Sequence, residues 1–311
     1  MVSAPPLLVI VGPTGVGKTA VAVRLAGFVP IEVVSADSRQ VYRGMDVATA
    51  KPSPEERAAV THHLLDLIEP GERYHAARFR LDATDAIDKI RAGGRLPVIV
   101  GGTGLYVRAL LRGLDPAPPA DPMLREGLER IARERGPAAL HERLSALDPA
   151  IASLLHPNDK VRVIRALEKH GRARTAGGSW TRSVTSWSVL MVGLTRERGA
   201  LNRRLEERAR GMLAGGMMDE VRRLLAAGYD ETAPGMAGIG YRQCAAALRG
   251  RLPEGEALRL IVRDSRRYAK RQMTWFAREP GIRWLDVDQA GGAEGAAEWI
   301  YTQILEEGWI E

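Results

Sequence analysis

The sequence predicts an α/β protein, a parallel-sheet core interrupted by an all-helical insertion. Three observations predict it. Short apolar runs alternate with helical ones from the N-terminus to about residue 115, the pattern of a parallel sheet with crossover helices. The stretch from Met123 to about Arg174 carries only short amphipathic helical periodicity. Strand-like texture then returns at Val189–Leu194.

In order along the chain, Leu7–Val11 reads as a buried strand and Ala20–Ala26 as a helix. Ile31–Ser35 reads as the second strand and Leu96–Val100 as the third. Between them, Phe79 to Ala92 has helical spacing, with Leu81, Ile87 and Ile90 among its apolar positions. Pro116, Pro118, Pro119 and Pro122 mark a break. Ala176–Ser179 marks another. After the strand at 189–194, helices are expected over Arg198–Ala226 and Leu258–Arg278, then a strand at Ile282–Val287 and a helix at Ala293–Glu307. The expected organisation is a core of residues 1–118 and 187–311, its C-terminal part largely helical, around an insertion of residues 119–186.

The chemistry begins at Gly12-Pro13-Thr14-Gly15-Val16-Gly17-Lys18-Thr19, a complete G-x-x-x-x-G-K-[ST] phosphate loop. It stands between a strand and a helix, as that motif requires, so the core is P-loop NTPase-like. Glycines let successive N–H groups converge on one concavity, and the helix N-terminus adds positive potential. Lys18 reaches terminal phosphates and the Thr19 hydroxyl suits Mg²⁺. The motif alone leaves open which molecule carries the phosphates.

A nucleotide hydrolase usually ends another core strand with a carboxylate for Mg²⁺ and water. Here the strand at 96–100 runs into Gly101-Gly102-Thr103-Gly104, and the one at 31–35 into Ala36-Asp37-Ser38. Ligands of parallel sheets sit beyond the carboxyl ends of the strands, so the loop, Asp37 and Thr103 are expected to share one cleft. That set suits a transfer reaction with a diphosphate leaving group. Asp37 would take a proton from the nucleophile, Thr103 would hydrogen-bond the bridging oxygen, and Lys18 with the loop amides would stabilise the leaving charge. Arg204 and Arg208, four apart on one helix face, either reach that anion or pair with Glu207 and Glu220.

The 311 residues hold 45 Lys and Arg against 38 Asp and Glu, a net charge of +7. The excess suggests a polyanionic partner. It concentrates between Lys160 and Arg182: Lys160, Arg162, Arg165, Lys169, Arg172, Arg174 and Arg182 are basic, and Glu168 alone is acidic. On a helix Arg162, Arg165 and Lys169 share one side, with Val161, Ile164 and Leu167 on an apolar side. The lack of acidic partners favours phosphate-backbone contact over a merely solvated face. A second basic segment, Arg263–Arg278, interleaves cations with Tyr268, Trp275 and Phe276. Trp275 and Phe276 read as core anchors rather than base-stacking platforms. The adjacent His62 and His63 lack helical metal-ligand spacing and read as structural. The single cysteine, Cys244, excludes an internal disulfide and reads as a small packed residue. The N-terminal apolar run is too short for a signal peptide, and no run is long enough for a membrane span, so a cytoplasmic protein is expected.

Taken together, eight stretches resemble the bacterial tRNA dimethylallyltransferase (isopentenyl-tRNA transferase) family. They are Gly12–Thr19, Ser35–Tyr42, Gly44–Pro52, His62–Asp66, Gly101–Tyr106, His156–Asp159, Gly240–Gln243 and Tyr268–Phe276. They run in the family's order over nearly the whole chain. The resemblance implies transfer of a dimethylallyl group from its diphosphate to N6 of the adenosine 3′ of the tRNA anticodon, position 37 of the tRNA. It implies Asp37 as general base and Thr103 as an aid to pyrophosphate departure, with Mg²⁺ as cofactor. It implies dimethylallyl diphosphate on Gly12, Pro13, Thr14, Gly15, Val16, Gly17, Lys18 and Thr19, with Arg204 and Arg208. It implies contact with the anticodon stem-loop through Asp37, Ser38, Arg39, Gln40, Thr103, Arg125, Val161, Arg162, Val163, Ile164, Arg165, Tyr241 and Arg242. The target base must be flipped out to reach such a cleft. Met236–Ile239 is less polar than the family's pattern, and one cysteine excludes the zinc module of its eukaryotic relatives. A monomer is expected.

Three other readings compete: an isopentenyltransferase acting on a free adenine nucleotide, a small-molecule kinase, and a non-catalytic RNA-binding module. The first needs no basic insertion, the second needs a further carboxylate near Mg²⁺, and the third needs no Asp37.

Overall fold

The computed structural model describes residues 4–114, 121–170 and 187–310. They form two compact units, Met1–Arg112 with Ser183–Glu311, and Gly113–Arg182. The first unit is built on six parallel strands in the order β3-β2-β4-β1-β5-β6. These are β1 (Pro6–Val11), β2 (Ile31–Ser35), β3 (His62–His63), β4 (Leu96–Gly101), β5 (Ser188–Thr195) and β6 (Ile282–Asp286). The central strand β1 is apolar from Leu7 to Val11 and fully buried there, as a parallel strand covered on both faces must be. Five strands stand where periodicity expects them. The two-residue edge strand β3 is too short to carry a period.

Between β1 and β4 lie α1 (Lys18–Leu25), α2 (Pro54–Ala59) and α3 (Ala76–Ala92), and after β4 comes α4 (Gly104–Arg112). Ser53 and Glu56 form a capping box at the start of α2. The side chains of Leu8, Ile10, Val33, Val98 and Val192 form one core with Val21 and Leu25 of α1 and with Ile300 and Ile304 near the C-terminus. Helix α3 packs against β2, β4 and α4 through Phe79, Ala83, Ala86, Ile87 and Ile90. Leu81, read above as one of its apolar positions, is instead 71% exposed. It falls on the solvent side of the turn that buries Phe79 and Ala83.

The second unit holds α5 (Pro122–Arg135), α6 (Pro137–Leu147), α7 (Pro149–Ser153) and α8 (Lys160–His170). Asp121 caps α5 by accepting the amides of Met123 and Leu124. Its core is Leu128, Leu140, Leu144, Val163, Ile164 and Leu167. The breaks at 116–120 and 176–179, and the cations Arg172, Arg174 and Arg182, lie outside the described residues.

The chain then returns to the first unit with α9 (Arg198–Ala214), α10 (Met217–Ala226), α11 (Tyr241–Leu248), α12 (Glu254–Phe276) and α13 (Gly292–Glu306). The single helix expected over 198–226 is two, broken at Gly215-Gly216. Cys244 is buried in the cluster that joins α10, α11 and α12. No helix of the described residues is long and apolar enough to cross a membrane.

Candidate active site

Parallel pairing aligns Val11 with Gly101 and Ser35 with Val100. The segments that follow β1, β2 and β4 therefore leave the sheet at one level. A cavity of about 340 Å³ opens there, within the first unit. Thr14, Lys18, Thr19, Asp37, Arg208 and Gln272 are all in its wall.

The phosphate loop is shaped by its glycines. Gly17 is the N-cap of α1 at φ 109°, a backbone region that disfavours any side chain. Among the described residues, no acceptor takes the amides of Gly15, Gly17, Lys18 or Thr19. Lys18 folds back over the loop, and its Nζ donates to the carbonyls of Gly12 and Pro13 at 3.0 and 2.9 Å. Burial lowers its ammonium to about 8; Asp37 opposes that shift and Arg208 adds to it.

Arg208 and Arg204 part company. Arg208 lines the cavity, and its Nη1 donates to Thr14 Oγ1 at 3.3 Å. Burial lowers its pKa, while Asp37 opposes that shift. Arg204 is exposed, and its Nε supports the loop by donating to the Gly15 carbonyl at 3.1 Å. The pairing with Glu220 weighed from sequence does not occur. Glu220, 1% exposed, accepts the amides of Asp46 and Val47 at 2.7 and 2.8 Å and the Tyr241 hydroxyl at 2.7 Å.

Asp37 Oδ1 accepts the Arg39 amide at 2.8 Å, which turns the chain just after β2 and sets the carboxylate in the cavity wall. Thr103 stands behind that turn. Its Oγ1 accepts the Ser38 amide at 3.1 Å, and its amide donates to the Ala36 carbonyl at 3.2 Å. Ser38 and Tyr268, but not Thr103, face the cavity. Burial, with the charge of Asp37, pushes the Tyr268 phenol up to about 12, so it keeps its proton at neutral pH.

Of Gln40 and Tyr241, named above as RNA contacts, Tyr241 is buried, whereas Gln40 is half-buried in the cavity wall with its carboxamide engaged by the protein. Gln40 accepts from Ser35 Oγ at 2.9 Å and donates to the Ala50 carbonyl at 3.0 Å. Tyr241 is 1% exposed, and burial beside Glu220 pushes its phenol far up. Both hold the wall segment at 46–50 in place. Arg39 keeps one nitrogen on the Pro234 carbonyl at 2.9 Å. Arg242 is exposed at the cavity rim.

Two residues without a role in the sequence reading are built into the site. Gln272 of α12 is 5% exposed. Its Oε1 accepts the Thr14 amide at 2.8 Å and its Nε2 donates to the Gly102 carbonyl at 2.9 Å. A Cβ on Gly102 would lie 2.1 Å from that Nε2, so the glycine is required for the approach. Arg196, just after β5, donates from Nε to the Val16 carbonyl at 3.0 Å and is ion-paired to Asp288. The Tyr268–Phe276 motif and the strand-end position of Arg196 were signals for both, but neither local pattern names the partner. Phe276 is fully buried, and Arg108 lies 4.4 Å over the Trp275 ring, so both aromatics are packed as expected. His62 is bonded to the Val60 carbonyl at 2.8 Å and His63 to Glu32 at 2.6 Å.

In the second unit, the stripe on α8 does have acidic partners. Glu168, 2% exposed, accepts Arg125 at 2.7 and 3.0 Å and Arg165 at 2.9 Å. Arg162 pairs with Asp159 at 2.8 Å and stays 73% exposed. Asp159 lay just outside the charge run counted from sequence. Val163 and Ile164 are buried in the core, whereas Val161, assigned above to the apolar side, is 73% exposed. Of the 161–165 segment, Val161 and Arg162 carry the exposed surface. The apolar side is Val163, Ile164, Ala166 and Leu167.

Comparison with known proteins places the site in a family context. The IPP transferase family model matches residues 40–279, and the isopentenyl transferase model matches residues 5–67. The chain is 44% identical over 306 residues to a tRNA dimethylallyltransferase of Desulforudis audaxviator, covering 97% of this chain and 99% of that protein. It is 47% identical over 307 residues to one from Thermomicrobium roseum, covering 97% and 92%. Its fold is similar to the full-length tRNA isopentenylpyrophosphate transferase of Bacillus halodurans, with TM-score 0.71, 39% identity and coverage of 97% and 98%. It is also similar to a eukaryotic dimethylallyltransferase whose structures were solved acting on tRNA, with TM-score 0.74, 28% identity and coverage of 91% and 74%.

Proposed function

We propose that this chain, which belongs to the IPP transferase family, transfers a dimethylallyl group from dimethylallyl diphosphate to N6 of the adenosine 3′-adjacent to a tRNA anticodon. The observation that carries the reading is one cavity whose wall holds both the phosphate loop with Lys18 and the carboxylate of Asp37.

The diphosphate takes the free amides of Gly15, Gly17, Lys18 and Thr19, with Lys18 and Arg208 as cations. An exocyclic amine is a poor nucleophile because its lone pair is conjugated with the ring. Asp37 accepts the N6 proton as the N6–C1 bond forms. The C1–O bond breaks, and its electron pair leaves with pyrophosphate. Charge grows on the leaving group, where the loop amides and Lys18 are already oriented. Thr103 holds the Ser38 turn and thus the direction of Asp37.

The residues fit Mg²⁺. Thr19 lines the cavity, no group of the described protein takes its hydroxyl, and diphosphate oxygens with water suit the other positions. Bound there, the ion neutralises diphosphate charge. In the second unit the exposed Val161 and Arg162 of α8 contact the tRNA; in the first unit Arg39 and Arg242 do so at the cavity. The enzyme works as a cytoplasmic monomer.

The test is transfer of radiolabelled dimethylallyl diphosphate, with Mg²⁺, to unmodified tRNA carrying adenosine after the anticodon, with AMP and ATP as parallel acceptors. Label in tRNA alone is expected. Label in a free nucleotide would replace this reading with the nucleotide-prenylating one, and no label anywhere would sink it.

A further inference from the structure

We infer that Gln272 makes the phosphate loop selective for a diphosphate over a triphosphate, an inference that rests on the diphosphate reading above. The loop has fewer free donors than its length suggests. Pro13 has no N–H. The Thr14 amide is taken by Gln272 Oε1 at 2.8 Å. The Val16 amide turns inward to the Pro13 carbonyl at 3.4 Å. Past Gly12, which directly follows β1, the amides of Gly15, Gly17, Lys18 and Thr19 remain, next to the start of α1. Two phosphoryl groups cover that set.

A third phosphoryl group has two directions to extend. Toward the first half of the loop it meets Thr14, whose amide is closed and whose hydroxyl is held by Arg208 at 3.3 Å. Toward the far wall it meets the carboxylate of Asp37, whose charge acts on Lys18 and Arg208. Gln272 cannot turn aside. Its Nε2 is held by the Gly102 carbonyl at 2.9 Å, and only this orientation of the carboxamide gives both nitrogens and both oxygens a matching partner.

The test is calorimetric binding of inorganic pyrophosphate and of tripolyphosphate to the full chain with Mg²⁺. The wild type should prefer pyrophosphate by about tenfold or more, the worth of one charge-assisted hydrogen bond. Gln272→Ala frees the Thr14 amide and should reduce that ratio to about threefold or less. Gln272→Glu keeps an acceptor for the amide and loses the donor to Gly102, so its ratio should stay at the wild-type value or above. Gln272→Met, which keeps the bulk, is read in place of alanine if alanine unfolds the chain, with the same expectation. A wild-type ratio near one overturns the inference without any variant. So do equal ratios in the Ala and Glu variants, which would mean that Gln272 only braces Gly102. Measurable pyrophosphate binding with an unmoved ratio defeats this inference alone, whereas no pyrophosphate binding by the wild type defeats the diphosphate reading as well.

Discussion

The Oε1 of Gln272 accepts the amide of Thr14 at 2.8 Å across 258 residues of sequence. Through its Nε2 the same side chain holds the Gly102 carbonyl. One carboxamide from α12 thus ties the end of β1 to the end of β4. The phosphate loop and the turn that carries Thr103 are locked to each other by a group that belongs to neither.

The lock depends on Gly102. A methyl group there would sit 2.1 Å from Gln272 Nε2, and that buried carboxamide can yield only by giving up its bonds to the Thr14 amide and the Gly102 carbonyl. Gly102→Ala should cost about 2 kcal/mol of stability, as overpacking does. Urea denaturation measures it, and an unchanged midpoint would mean that the two elements are not rigidly coupled.

Asp37 is the carboxylate of the cavity wall, oriented by the Arg39 amide. Asp37→Ala should lower single-turnover transfer by about 10²- to 10⁴-fold, the range for a general base, with tRNA affinity largely kept. Transfer at the wild-type rate would remove the role.

Lys18 makes stability depend on pH. Its ammonium sits at about 8 in the folded chain against 10.5 ordinarily. Between those values the unfolded chain holds a proton that the folded chain has released, so stability rises with pH across that window. Below pH 8 both forms are charged and the burial penalty is present in full. In Lys18→Met the contribution is absent. The stability of the wild type relative to that variant should therefore rise from pH 8 toward pH 10, and a difference that stays flat over this range would contradict the lowered value.

Arg162 and Arg165, three apart on α8, should separate in experiment. Arg162 is exposed and paired with Asp159. Arg162→Ala should weaken tRNA binding and reduce the slope of log affinity against log salt by about one. Arg165 shares the buried Glu168 with Arg125. Arg165→Ala should cost about 1 kcal/mol of stability, discounted for its partial exposure, on top of any change in RNA affinity. Identical salt slopes for the Arg162→Ala variant and the wild type would take α8 out of the RNA interface.

Much of this site could be read from local pattern. The phosphate loop needs eight consecutive residues, and its strand and helix flank it directly. Asp37 and Thr103 follow apolar strands, and the rule that ligands sit beyond parallel strand ends brings them together. Leu81 and Val161 were misread because a periodic pattern gives a face only to within a neighbouring position, and burial depends on what packs there. Glu168 looked like a lone acid in a basic run, although it is the buried centre of an arginine pair.

The sequence by itself determined the parallel α/β core, the phosphate loop, the two strand-end residues and the family. Each of these is written in contiguous residues or in a period of two or 3.6, so local physics is enough to expose it. Only the tertiary structure decided which arginine lines the cavity, what Glu220 holds, and where Gln272 places its carboxamide. Those are single hydrogen bonds between segments far apart in the chain. A polar side chain carries no mark of its distant partner; the partner is selected when the core packs and every buried donor and acceptor must be satisfied at once.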